Sequence, residues 1–251
     1  MLLDVDGVLT VSWRALPGAV EAVGWLRSAG VPFLLATNAT SMSRPELAAT
    51  LRAAGIEVAP GEVVTAPVAA GEYLRRNHAG ARVFQVGGRG SREDLGEVLF
   101  VEDGEAEVVL TAGADDDFAW ERLDRAFRML LGGAALVAMH RNTSWLTDRG
   151  PTLDAGPFVD GLEAAAGVAA VVTGKPSPEF FSSCVDLLGL EPSRVAMVGD
   201  DLDNDVLAAQ GCGLTGVLVR TGKFQQETLD AAVELPDVVL DSIADLPKVF
   251  G

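Results

Sequence analysis

Apolar positions along the chain fall into two alternating rhythms. Short runs rich in leucine or β-branched residues, at 1–3, 32–36, 82–86, 108–110, 134–138, 168–172, 195–198 and 216–219, are apolar at nearly every position. Such runs predict strands covered on both faces, as in a parallel sheet. Between several of them lie longer stretches with helical spacing, at 19–29, 44–54, 68–76, 118–131, 156–166, 179–188 and 203–210, the first two stopped by Gly30 and Gly55. This order predicts βαβ units and an α/β fold with a Rossmann-like parallel sheet. The middle third repeats the alternation on its own, and no linker sets it apart. A second domain, if present, must therefore be inserted into the first.

The 251 residues, 49% hydrophobic, suffice for one large domain or a core with an insert. The charge is strongly acidic, with 36 Asp and Glu against 19 Lys and Arg, a formal net charge of −17. Binding of nucleic acid or of an anionic membrane through a general basic surface is thereby excluded. Any anionic substrate would need local cations, which a bound metal ion would supply. Cys184 and Cys212 match no metal-ligand spacing and read as core residues. Asp4 and Asp6 break up the start before an apolar leader could form, and the most apolar stretch, near 129–139, contains two glycines. A cytoplasmic protein is expected. The run Asp115-Asp116-Asp117 reads as a solvated loop capping the helix that starts near Phe118.

Ligands in open α/β sheets bind beyond the carboxyl ends of the strands, and the acidic groups concentrate there. Asp4 and Asp6 follow the first strand, with Gly7 behind them for a turn; Gly199-Asp200-Asp201 follows another, with Asp205 one turn later. Clustered carboxylates at the rim of a buried sheet require a compensating charge, and a hard divalent cation such as magnesium suits them. Thr37-Asn38 offers a hydroxyl and backbone N–H groups to an anion at a third strand end. Lys175 stands on the rigid Gly174-Lys175-Pro176 turn, where it can neutralise both a carboxylate and a phosphate oxygen.

Taken in order, Asp4-Val5-Asp6-Gly7-Val8-Leu9-Thr10, Thr37-Asn38, Gly174-Lys175-Pro176 and Gly199-Asp200-Asp201 with Asp205 resemble the four motifs of the haloacid dehalogenase-like superfamily. The stretch between the second and third motifs resembles the α/β cap of its subfamily IIA. Residues 174–181, 197–206 and 219–224 are similar to the branch that includes phospholysine phosphohistidine inorganic pyrophosphate phosphatase. One departure is a short lead-in, with three residues before Asp4.

The resemblance implies a core at 1–78 and 170–251 with an inserted cap at 79–169. It implies a magnesium-dependent phosphatase in which Asp4 is the nucleophile and Asp6 the general acid and base. Metal ligands would be the Asp4 side chain, the Asp6 carbonyl and Asp200, supported by Asp201 and Asp205. Thr37, Asn38 and Lys175 would hold the phosphate. The substrate would be a small phosphate ester, a phospho-amino acid or pyrophosphate, and a homodimer through the cap is a further implication. His140-Arg141, after a cap strand, reads equally as a specificity element or as an exposed turn. Two other readings of the carboxylates are a receiver-type phosphoacceptor module, for which the chain is too long, and a catalytically silent phosphate-binding protein.

Overall fold

The structure, a computed structural model, describes residues 1–147 and 149–251. Six strands make the first sheet, in the order Val238–Leu240, Thr215–Val219, Ala196–Gly199, Leu2–Leu3, Leu34–Thr37 and Val63–Thr65, with every pair parallel. The period-two geometry of a strand sends alternate side chains to opposite faces. Leu3, Leu35, Val198 and Val217 pack on one face with Ala22 and Leu26 of helix Ala19–Ser28 and Leu47 and Leu51 of helix Arg44–Ala53. Leu2, Leu34, Ala36 and Met197 pack on the other with Phe180, Phe181 and Cys184 of helix Pro178–Leu188. Truncating Phe180 or Phe181, both fully buried, would cost about 3–5 kcal/mol.

The second sheet is also parallel, in the order Val171–Val172, Ala135–Ala138, Val108–Thr111, Arg82–Val86 and Leu99–Phe100. Helices Trp120–Leu131 and Gly156–Ala166 cover one face through Ala126, Leu130, Val159 and Leu162. Ala66, Ala70 and Leu74 of helix Ala66–Asn77 cover the other, while Ala69 of the same helix packs against the core cluster around Phe180. That helix is therefore the joint between the two sheets.

Two expectations change here. The run 168–172, expected as one strand across the 169/170 boundary, forms a strand only at Val171–Val172, which pairs with Ala135–Ala138 at the edge of the second sheet. A wholly apolar run carries no mark of which sheet it joins, and the edge position leaves Val171 exposed. The acidic run 115–117 does not cap a helix either. Helix Trp120–Leu131 has Ala119 at its N-cap with no side-chain bond. Asp115 and Asp117 accept the N–H groups of Gly88 and Gly87, and Asp117 pairs with Arg122 at 2.7 Å, so they tie neighbouring loops together.

Two hairpins escaped the pattern: Thr10–Val11 with Arg14–Ala15, and Ser144–Thr147 with Gly150–Leu153. The turn of the first places Ser12 at φ 48° and Trp13 at φ 61°. Left-handed backbone at non-glycine residues costs energy and recurs near functional sites. Among the described residues, no helix is long and apolar enough to cross a membrane.

Candidate active site

The first sheet changes strand direction of progression at Leu2–Leu3, with earlier and later segments flanking it on opposite sides. A crevice opens beyond the carboxyl ends at such a point. Asp4 sits there, 8% exposed, its backbone N–H donating to Val198 O at 2.9 Å and its Oδ1 accepting from Val5 N–H at 2.8 Å. Lys175 Nζ lies 2.8 Å from Asp4 Oδ1 and 2.7 Å from Asp205 Oδ1. Oxygens of Asp4, Asp200 and Asp205 all fall within 4.8 Å of one another. Residues from three separate stretches of chain thus meet around one buried ammonium group.

Burial alone would lower the pKa of Lys175, but the Asp205 and Asp4 carboxylates outweigh it and hold the lysine cationic. The carboxylates respond in the opposite sense. Burial, then Asp4 and Asp205, raise the Asp200 carboxyl well above its ordinary range. Burial pushes Asp205 up to about 7 despite the pull of Lys175. Asp6 also reaches about 7, through burial and the charge on Asp4. Lys223, Lys175 and a hydrogen bond from the Leu146 backbone N–H, in the second hairpin, pull Asp6 the other way.

The donor set fits a hard cation. Asp200 Oδ2 accepts the Lys223 N–H at 2.7 Å, whereas its buried Oδ1 has no hydrogen-bond partner. An orphaned carboxylate oxygen among other anions is costly unless a cation meets it. Gly7 and Gly222, both at positive φ, close around Asp200, and a Cβ on either would lie 1.9 Å from its Oδ2. Asp201 is oriented from within its own turn, with Oδ1 accepting Asn204 N–H at 3.0 Å and Oδ2 the Asn204 side chain at 2.9 Å.

Thr37 ends strand Leu34–Thr37 and Asn38 follows it, both lining the same cavity. Thr37 Oγ1 accepts Ala39 N–H at 3.1 Å. The Asn38 side chain brackets the Lys175 backbone, donating to Lys175 O at 3.0 Å and accepting Lys175 N–H at 2.9 Å. Its amide thus braces the lysine turn. His140 is buried and lines the cavity, while Arg141 is exposed and pairs with Asp160 and Glu163 on the adjoining helix. The two halves of the His140-Arg141 pair therefore face different surroundings.

The cavity holds about 420 Å³ and is bounded by both sheets. Lys223, Trp13, Trp145 and Asp154 line it and were not singled out from the sequence. Lys223 follows strand Thr215–Val219, so the strand-end rule that flagged Lys175 applied to it too. Both tryptophans lie in the hairpins that the pattern missed.

The chain is similar to known proteins over nearly its whole length. A family model for haloacid dehalogenase-like hydrolases matches residues 1–100, and a related hydrolase-like model matches residues 172–246. The chain is 32% identical to human phospholysine phosphohistidine inorganic pyrophosphate phosphatase, covering 98% of this chain and 91% of that one. It superposes on p-nitrophenyl phosphatase from Archaeoglobus fulgidus with a TM-score of 0.90 at 31% identity, covering 99% and 98% of the two chains. A glycerol phosphate phosphatase from Mycobacterium tuberculosis, solved in complex with magnesium, gives a TM-score of 0.87 at 27% identity, covering 98% of this chain and 75% of that one. By identity over nearly its whole length, the chain belongs to the haloacid dehalogenase-like hydrolase family and falls among its phosphatases.

Proposed function

We propose that the protein hydrolyses a small phosphate ester or phosphoramide with magnesium, through a phosphorylated Asp4. The observation that supports this best is the meeting of Asp4, Asp200, Asp205 and Lys175, with an unpartnered Asp200 oxygen in their midst. Asp4, Asp200 and the Asp6 carbonyl would hold the metal. When bound, it would neutralise charge on the phosphoryl group beside the carboxylates.

The chain's own groups then divide the work. Lys175 fixes the Asp4 carboxylate through Oδ1, leaving Oδ2 to attack phosphorus. The Thr37 hydroxyl and the backbone N–H groups around Asn38 hold transferring oxygens, and Lys175 adds its charge. Asp6, with its carboxyl raised to about 7, carries a proton near neutrality and delivers it to the leaving oxygen or nitrogen. Having lost it, Asp6 takes a proton from the water that attacks the aspartyl phosphate. The second sheet and the Ser144–Thr147 hairpin act as a cap, with Trp145 of that hairpin lining the cavity beside Asp6.

The test is p-nitrophenyl phosphate hydrolysis with and without magnesium, for the native protein and Asp4→Asn. Metal-dependent turnover that drops at least about a thousandfold in the variant is expected, since no nucleophile remains. An Asp4→Asn variant as active as native protein would overturn the phosphoaspartyl route.

A further inference from the structure

The charges lining the cavity are unevenly placed. Its described cations are Lys175 and Lys223, and both belong to the carboxylate cluster on the core side. The cap side contributes Asp115, His140 and Asp154, without a lysine or arginine. Nearby arginines are engaged elsewhere: Arg89 with Glu102 and Asp117, Arg141 with Asp160 and Glu163. His140 adds no dependable charge, because burial lowers its pKa although Asp154 opposes this. Its Nδ1 accepts the Asn142 N–H at 3.3 Å, as a neutral ring does.

Backbone donors hold the two cap carboxylates in place. Asp154 Oδ1 accepts Ala114 N–H at 3.1 Å and Ala155 N–H at 2.8 Å; Asp115 accepts Gly88 N–H at 3.0 Å and Asp117 N–H at 2.9 Å. The lining also carries hydroxyl and amide groups, among them Thr40, Ser41 and Asn142, and four large or apolar side chains that could meet the body of a leaving group. Trp13 and Met42 come from the core loops, Trp145 and Ala114 from the cap.

Resting on the phosphatase reading above, we infer that the cap side of this cavity takes a leaving group with an aromatic or apolar body and no negative charge, and that it rejects a second phosphate or a carboxylate. Trp13 and Trp145 would supply flat contact surface at low entropic cost. A second anion would face fixed carboxylates on a side that contributes no lysine or arginine to the lining, the kind of like-charge opposition that builds specificity. Inorganic pyrophosphate falls on the rejected side.

Binding of non-hydrolysable phosphonates, measured by calorimetry with magnesium present, separates this from the chemistry. Phenylphosphonate should bind at least about tenfold more tightly than methylphosphonate, and 4-phosphonobenzoate at least about tenfold more weakly than phenylphosphonate. Trp145→Ala should shrink the first gap and the double variant Asp115→Asn/Asp154→Asn the second. The ligand series on native protein decides the matter if that double variant does not fold. Equal or tighter binding of 4-phosphonobenzoate, or no advantage of phenyl over methyl, would overturn the inference. Turnover of phenyl phosphate is scored separately. The predicted binding order without turnover would retain the pocket assignment and remove the phosphatase reading; turnover without that order would do the reverse.

Discussion

Lys175 concentrates the energetics of the site in one side chain. It is 3% exposed, and a buried ammonium survives there because two carboxylates meet it within 2.8 Å. Lys175→Met should therefore leave Asp4 and Asp205 facing one another uncompensated. A loss of about 2.7–4 kcal/mol in the barrier, seen as a fall of 10²–10³ in kcat, is expected with an accompanying drop in thermal stability. The raised Asp6 carboxyl gives a second prediction. Asp6 holds its proton in the folded, metal-free protein up to about pH 7, whereas an unfolded chain releases it near about pH 4. Its contribution to stability is complete below about pH 4 and is lost as pH rises through about 7. Magnesium at the proposed site would compete with protons on the clustered carboxyls, so its stabilisation should be small at pH 5 and several degrees in Tm at pH 8, as thermal melts would read.

Strands and turns supply what no single residue can. Each parallel strand delivers its last residues to the same edge, which is why Asp4 and Thr37 line one crevice and an Asp200 oxygen lies within 4.8 Å of Asp4, although the three are far apart in sequence. The turns must then be narrow. Gly222 follows strand Thr215–Val219 at φ 61° and lies against Asp200, where a Cβ would sit 2.5 Å from the Gly7 Cα. Gly222→Ala should displace Asp200 and weaken magnesium binding more than tenfold, measured by titration. The left-handed backbone adds a stability cost of about 1–2 kcal/mol. Unchanged magnesium affinity would remove Asp200 from the ligand set.

Two parallel sheets with their carboxyl edges turned to one cavity make up the functional unit. Contacts between them are specific: Gly113 N–H donates to Thr40 Oγ1 at 2.8 Å, and Arg44 pairs with Asp94 at 2.9 Å. The molecule as a whole carries a formal charge of −17, which repels a dianionic substrate. Raising ionic strength from 0.01 to 0.15 M shortens the Debye length from about 30 to about 8 Å. At saturating magnesium, KM for a phosphate monoester should fall about twofold or more over that range. A KM that rises instead would mean that local cations, not the global field, govern approach.

Core strands were legible before folding because burial on both faces demands unbroken apolar runs, and the residues of the candidate site were legible because carboxylates, threonine and lysine stood where those runs ended. Asp4, Asp6, Thr37, Lys175, Asp200 and Asp205 could all be singled out on that basis. Membership of Val171–Val172 in the second sheet could not, since an apolar pair is equally suited to either sheet and only pairing with Ala135–Ala138 decides. The short hairpins at 10–15 and 144–153 left too few residues for a periodic signal, so Trp13 and Trp145 went unseen. Nor does a linear chain reveal that Asn38 braces Lys175 or that Arg141 turns towards Asp160 and Glu163 while His140 turns inward. Local composition determines which residues can bear charge at a strand end. Long-range packing determines which of them meet, because that depends on distances between segments more than a hundred residues apart, such as the pairing of Asp4 with Lys175.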